Sequence, residues 1–164
     1  MTIDEEMMCR CLELGKNGLE NGDAPVGSLI VRNGEIIAAG LESVKLKNDP
    51  TAHAEIEALR VACEKLKTLN LSNCVLYTNV EPCWMCSYAI RQTQISRIAF
   101  GSRNEKIGGF SSKFQVLLDE NLKMPGPKIE AENRFRYVFG NPTDHSREIF
   151  LTVIAFDVPS SSTA

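Results

Sequence analysis

The sequence lacks any apolar run approaching the ~18–20 residues that span a bilayer, so no membrane partner is expected. It lacks a basic leader as well: Met1-Thr2-Ile3-Asp4-Glu5-Glu6 is acidic where a signal peptide is basic, and a cytoplasmic location follows as the expectation. It lacks a surplus of basic residues, with 18 Lys and Arg against 21 Asp and Glu for a net charge of −3. Nucleic-acid binders usually show a basic footprint, so this balance argues against nucleic acid as a partner. Internal repeats, low-complexity tracts and linkers are missing too. With 164 residues, 43% apolar and 24% charged, the chain has ordinary globular usage. One domain over residues 1–158 is expected, with 159–164 a frayed tail.

Cysteine is not scarce, since there are six. A disulfide framework does not suit a chain without signs of secretion. Cys9, Cys11 and Cys63 fall in helix-like segments and Cys74 opens a β-like run, where cysteine serves as a small buried hydrophobe. Cys83 and Cys86 read differently.

Apolar spacing predicts a helix over 3–20 and strands over 26–31 and 35–39, joined by the hairpin dipeptide Asn33-Gly34. A loop over 41–50 leads through Asp49-Pro50-Thr51 into a helix over 52–67. A strand over 74–80, a helix over 81–92 and a strand over 96–101 then suggest βαβ crossovers on a partly parallel sheet. Residues 111–122 read as short helix or ordered loop, Pro125-Gly126-Pro127 as a break, 134–139 as a fifth strand and 148–158 as a helix.

Two segments carry chemistry: Thr51-Ala52-His53-Ala54-Glu55 and Glu81-Pro82-Cys83-Trp84-Met85-Cys86, each at a predicted helix start. Cys83 and Cys86 are three apart, so one helical face can present both sulfurs. A helix N-terminus favours thiolate. His53 is one of only two histidines. If the helices lie side by side, His53, Cys83 and Cys86 form an N/S₂ donor set suited to one Zn²⁺ per chain, with the fourth position open as in catalytic sites. Glu55, two residues from His53, falls on another bearing, where a carboxylate can shuttle protons. His145 reads as a capping or surface residue.

These motifs follow the pattern H-x-E…P-C-x-x-C of zinc deaminases, in which the Glu is the acid/base and not a ligand. The chain resembles the cytidine deaminase superfamily, in the branch of cytosine, guanine and tRNA adenosine deaminases. The resemblance runs through Ala24-Pro25-Val26-Gly27, Asp49 to Glu55, Leu76-Tyr77-Thr78, Glu81 to Cys86 and Phe100-Gly101, about half the chain. It implies an α/β fold, a three-layer α/β/α sandwich on a five-stranded mixed sheet, and a homodimer. It also implies hydrolytic conversion of a ring amine to a carbonyl with loss of ammonia.

The substrate expected from the sequence is a small nucleobase-like heterocyclic amine of isocytosine, guanine or cytosine type. Relatives carry Asn where this chain has Glu42, and an ionised Glu only accepts hydrogen bonds, which suits a donor-rich base edge. Val26, Trp84, Phe110, Phe156 and Asp157 are the other candidate substrate contacts. Editing of tRNA adenosine is the alternative, disfavoured by the charge and by a C-terminal stretch with a single Arg147 over 145–158. A zinc-stabilised binding module is the non-enzyme reading.

Overall fold

The structure, a computed structural model, describes residues 1–131. The strand expected over 134–139, the helix expected over 148–158, the tail, and His145, Phe156 and Asp157 lie outside the described residues.

Helix α1 (Ile3–Glu20) starts because Thr2 and Glu5 satisfy each other's backbone N–H groups, at 3.2 and 2.7 Å, in a capping box. Asp4, Glu5 and Glu6 in its first turn suit the positive end of the helix dipole. Strands β1 (Gly27–Arg32) and β2 (Glu35–Leu41) form the expected hairpin. Asn33 and Gly34 take φ of 52° and 81°, the two positive values that a type I′ turn demands. The loop then holds an unforeseen turn of helix, α2 (Val44–Lys47). It forms because the Asp23 carboxylate, twenty-odd residues back, accepts the Lys45 and Leu46 N–H groups at 2.7 and 3.1 Å.

Helix α3 (Ala54–Leu66), β3 (Val75–Val80), α4 (Trp84–Gln92) and β4 (Arg97–Ser102) follow in order. The fifth strand, β5 (Lys128–Ala131), comes directly after the Pro125-Gly126-Pro127 break and pairs parallel with β4. Four residues are too few to display a period, which is why the sequence pattern does not reveal it. Residues 111–122 contain one 3₁₀ turn, Glu120–Leu122, and no α-helix. The buried Arg91 guanidinium replaces helical bonds there by donating to the carbonyls of Val116, Leu117 and Met124.

The sheet order is β2-β1-β3-β4-β5, with β1 antiparallel to both neighbours and β3, β4 and β5 parallel. Successive strand residues point to opposite faces. Leu29, Val31, Tyr77 and Ala99 pack on Met7, Met8 and Cys11 of α1. Ile30, Leu76, Ile98 and Phe100 pack on Ala58, Leu59 and Ala62 of α3 and Ile90 of α4. A sheet buried on both faces is the middle layer of an α/β/α sandwich. Cys11 and Cys74 are fully buried in it, while Cys9 and Cys63 are half-buried. Among the described residues no helix is long and apolar enough to cross a membrane.

Candidate active site

The carboxyl end of β3, the start of β1 and the end of β2 meet at one edge of the sheet. Gly27 faces Leu41 in register, and its N–H donates to the buried Asn79 side chain at 2.8 Å. Asn79 also donates to the Pro25 carbonyl, fixing the turn that carries Val26. Ligands of open α/β sheets bind at such carboxyl ends. Here α3 and α4 both point their N-termini at the edge. They start two and three residues later than the sequence suggested, and the delay has a cause at each. The Asp49 carboxylate captures the Thr51 N–H and hydroxyl in a turn, and the Pro82 carbonyl is taken by the Gly109 N–H at 2.9 Å. His53 and Cys83 therefore occupy the N-cap positions of the two helices, with Cys86 in the first turn of α4.

These three residues come together. Cys83 Sγ lies 3.6 Å from His53 Nδ1 and 3.6 Å from Cys86 Sγ, and all three donor atoms fall within 4.8 Å of one another. A tetrahedron with Zn–S of ~2.3 Å and Zn–N of ~2.0 Å has edges of ~3.5–3.8 Å, so the observed separations suit zinc. The three donors pull one another's acidities apart. Cys83 is drawn down to about 4, first by the Cys86 thiol and then by His53. Cys86 is pushed upward by the neighbouring Cys83 sulfur and by burial, and contact with Cys83 raises His53 to about 9. Three donors crowded this closely share protons among themselves, and a dication is what allows both sulfurs to ionise with a neutral imidazole.

Glu55 is 3% exposed, and its Oε2 stands 3.5 Å from Cys86 Sγ. Burial pushes its carboxyl up to about 7, opposed by its own backbone N–H at the helix start. Glu42 arrives from the end of β2, its N–H donating to the Val26 carbonyl at 3.0 Å. Its Oε2 accepts the Ala54 N–H at 3.2 Å, and burial raises its pKa against the attraction of His53. Gly40 lets β2 approach α3 this closely, since a Cβ there would stand 2.2 Å from the Ala54 carbonyl oxygen.

A family profile describing the cytidine and deoxycytidylate deaminase zinc-binding region matches residues 1–102. The chain belongs to this deaminase family. It is 43% identical over 111 residues to the tRNA-specific adenosine deaminase of Aquifex aeolicus, covering 68% of this chain and 74% of that one. It is 38% identical over 113 residues to the guanine deaminase of Bacillus subtilis, covering 67% and 72%. A solved structure from studies of A-to-I editing by tRNA:A34 deaminases superposes with a TM-score of 0.73 at 31% identity, over 76% of this chain and 95% of that chain. The protein is thus a zinc-type deaminase, a hydrolase acting on C–N bonds, with relatives among both nucleic-acid and base deaminases.

Membership in the deaminase family corrects one expectation. The sequence argued for a small heterocyclic amine and against nucleic acid, yet the tRNA-specific adenosine deaminases among its relatives overturn that partner assignment. The error was physical: a net charge averages over the whole surface. The segment that folds over Cys83 carries exposed Arg103, Lys106 and Lys113 against Glu105 alone.

The candidate substrate contacts divide. Val26 and Glu42 adjoin each other at the site edge. Trp84 does not line the metal donors. Its indole N–H donates to Ser112 Oγ at 2.8 Å, its ring meets Phe114 edge-on at 5.2 Å, and both line a neighbouring groove of about 670 Å³ with Lys113 and Leu118. Phe110 is half-buried, edge-on to the core ring of Phe100 at 6.0 Å, with Arg103 over its face. One supporting residue was missed, Glu81, which is 2% exposed. Its carboxylate accepts the N–H groups of Asn104, Phe110 and Ser111 at 2.9, 2.9 and 2.7 Å, clamping residues 104–111 over Cys83. Its partners lie more than twenty residues away, so nothing in the local sequence marks it.

Proposed function

We propose that this deaminase hydrolyses the amino group of adenosine in tRNA, converting it to inosine and releasing ammonia. The 43% identity to a tRNA-specific adenosine deaminase, extending over 74% of that protein, carries the reading. The cations of the 103–113 segment, beside the metal donors, support it because phosphate neutralisation dominates nucleic-acid affinity.

In this reading His53, Cys83 and Cys86 hold zinc, which when bound is a Lewis acid able to bring the pKa of water near ~7. Glu55 moves the protons. As the water oxygen bonds to C6, the Glu55 carboxylate takes one of the water's protons and gives it to ring N1. It then carries the remaining proton of the new C6 hydroxyl to N6, and the C6–N6 bond breaks to leave C6=O and ammonia. Adenosine and water thus balance inosine and ammonia. Val26 borders the base, and the Glu42 N–H is joined to the Val26 carbonyl while its carboxylate accepts the Ala54 N–H beside His53.

The test is inosine formation in a tRNA anticodon stem-loop, run beside free adenosine, guanine, cytosine and isocytosine. Inosine in the stem-loop with little turnover of the free compounds is expected. Ammonia from a free base with an unchanged stem-loop would overturn the assignment.

A further inference from the structure

The N-cap side chain of a helix usually accepts one of the free N–H groups behind it. In α3 that residue is His53, which makes no capping bond, and its Nδ1 instead faces Cys83 Sγ. The backbone around it is held from outside the helix. On one side the Ser43 N–H donates to the Ala52 carbonyl at 3.0 Å. On the other the Ala54 N–H, the first of α3, donates to Glu42 Oε2 at 3.2 Å. Glu42 and Ser43 are adjacent, so two consecutive residues at the end of β2 bracket His53. Glu42 is itself pinned through its N–H to Val26, and it is 9% exposed, so water does not replace it cheaply.

We infer that Glu42 is a positioning residue for the metal centre: its carboxylate takes the place of the missing N-cap side chain of α3 and thereby fixes the His53 donor and the adjacent Glu55. The choice of residue follows from the geometry. The acceptor must reach Ala54 from another strand, which needs a side chain of Glu or Gln length. An acceptor there also meets the positive end of the helix dipole. Groups bonded directly to a metal ligand typically change metal affinity about 10–100-fold when removed, and that range bounds the effect of Glu42, which holds the backbone beside the ligand. The inference rests on the zinc reading of the site and not on the choice of substrate, so it can fail while tRNA adenosine remains the substrate, and the reverse.

The experiment uses the full-length protein with zinc, by chelator competition, and with cobalt(II), by its visible d–d spectrum. Glu42→Ala is expected to weaken zinc binding by about 10–100-fold and to alter the cobalt spectrum. Glu42→Gln, which keeps an acceptor oxygen at the same reach, is expected to recover most of the affinity and the native spectrum. Glu42→Met fills the same volume without an acceptor and stands in if the alanine variant does not fold, with the same loss expected. Wild-type affinity and spectrum in Glu42→Ala or Glu42→Met would overturn the inference, whether or not their melting temperature falls. So would a Gln variant as damaged as either of them, because charge and not capping would then be the cause. A raised KM with untouched metal binding would place Glu42 on the substrate and overturn it too.

Discussion

The starts of α3 and α4 face the same problem and solve it differently. Each gives its N-cap residue, His53 or Cys83, to the metal donor set, and neither helix has a capping side chain of its own. At α3 the first N–H goes to a side chain, Glu42. At α4 the first N–H, from Trp84, goes to a backbone carbonyl, Ile107, on a loop that Glu81 clamps in place. Glu81 leaves no room to spare, since a Cβ on Gly108 would stand 2.2 Å from its carboxylate. The α3 start is therefore held by a side-chain acceptor beside the Ser43–Ala52 backbone bond, and it carries His53 and the buried Glu55. The α4 start is held by a packed loop and carries both sulfurs. Chemistry and rigidity are divided between two helix ends that look alike in sequence.

The sharpest break is at the sulfurs. Cys86→Ser should reduce bound zinc, measured by elemental analysis, from about one per chain to near none and abolish deamination, because a hydroxyl is a poor substitute for thiolate. Zinc at full stoichiometry in this variant would remove Cys86 from the site. Breaking the α3 side chemically gives the complementary result. Glu55→Gln should keep its zinc and lose ~10²–10⁴-fold in kcat, read by inosine formation. A parallel loss of metal would mean that Glu55 is a ligand.

How legible this division was in the sequence depends on range. The motifs pointed to the cluster of His53, Cys83 and Cys86 with Glu55 beside it, because all four lie within a few residues of their own helix starts. The hairpin at Asn33-Gly34 was legible for the same reason, as its turn is local. The Thr2-x-x-Glu5 capping box is equally local. What stayed hidden joins distant segments: Asp23 building α2, Arg91 holding 116–124, Glu81 clamping 104–111, and a fifth strand four residues long. A long-range acceptor leaves no periodic trace, so a buried acid such as Glu81 looks like any surface carboxylate until the fold places it. The expectation against a nucleic-acid partner failed for a related reason, since net charge is a sum and contacts depend on where the charges sit.

The loop side of the comparison yields a stability effect. Glu81→Ala strands three backbone N–H groups, each worth ~1–3 kcal/mol when left unpaired. A loss of about 3 kcal/mol or more is expected, lowering Tm by roughly 6–12 °C for a chain of this size. A shift within a degree or two would show that the clamp is dispensable. The smallest effect serves as a control remote from both helix starts. Asp4 on α1 pairs with Arg97 on β4 and accepts from the Tyr77 hydroxyl. The Arg97 guanidinium holds the Asp4 carboxyl below the usual carboxylate range. A depressed folded pKa contributes stability above the unfolded value, near ~4, that is lost as pH falls through the folded one. Asp4→Asn should cost about 1 kcal/mol at neutral pH with metal content unchanged. In acid unfolding the gap to wild type should close below pH ~4. A gap that persists at lower pH would contradict the assignment.

The claim that His53, Cys83 and Cys86 are the protein donors found among the described residues, leaving one position for water, is tested most directly by zinc K-edge X-ray absorption on the purified protein. The account predicts two sulfurs at ~2.3 Å and two nitrogen or oxygen atoms at ~2.0–2.1 Å, one of the latter exchanging with solvent. Three or four sulfurs, or a closed shell of four protein donors, would contradict it.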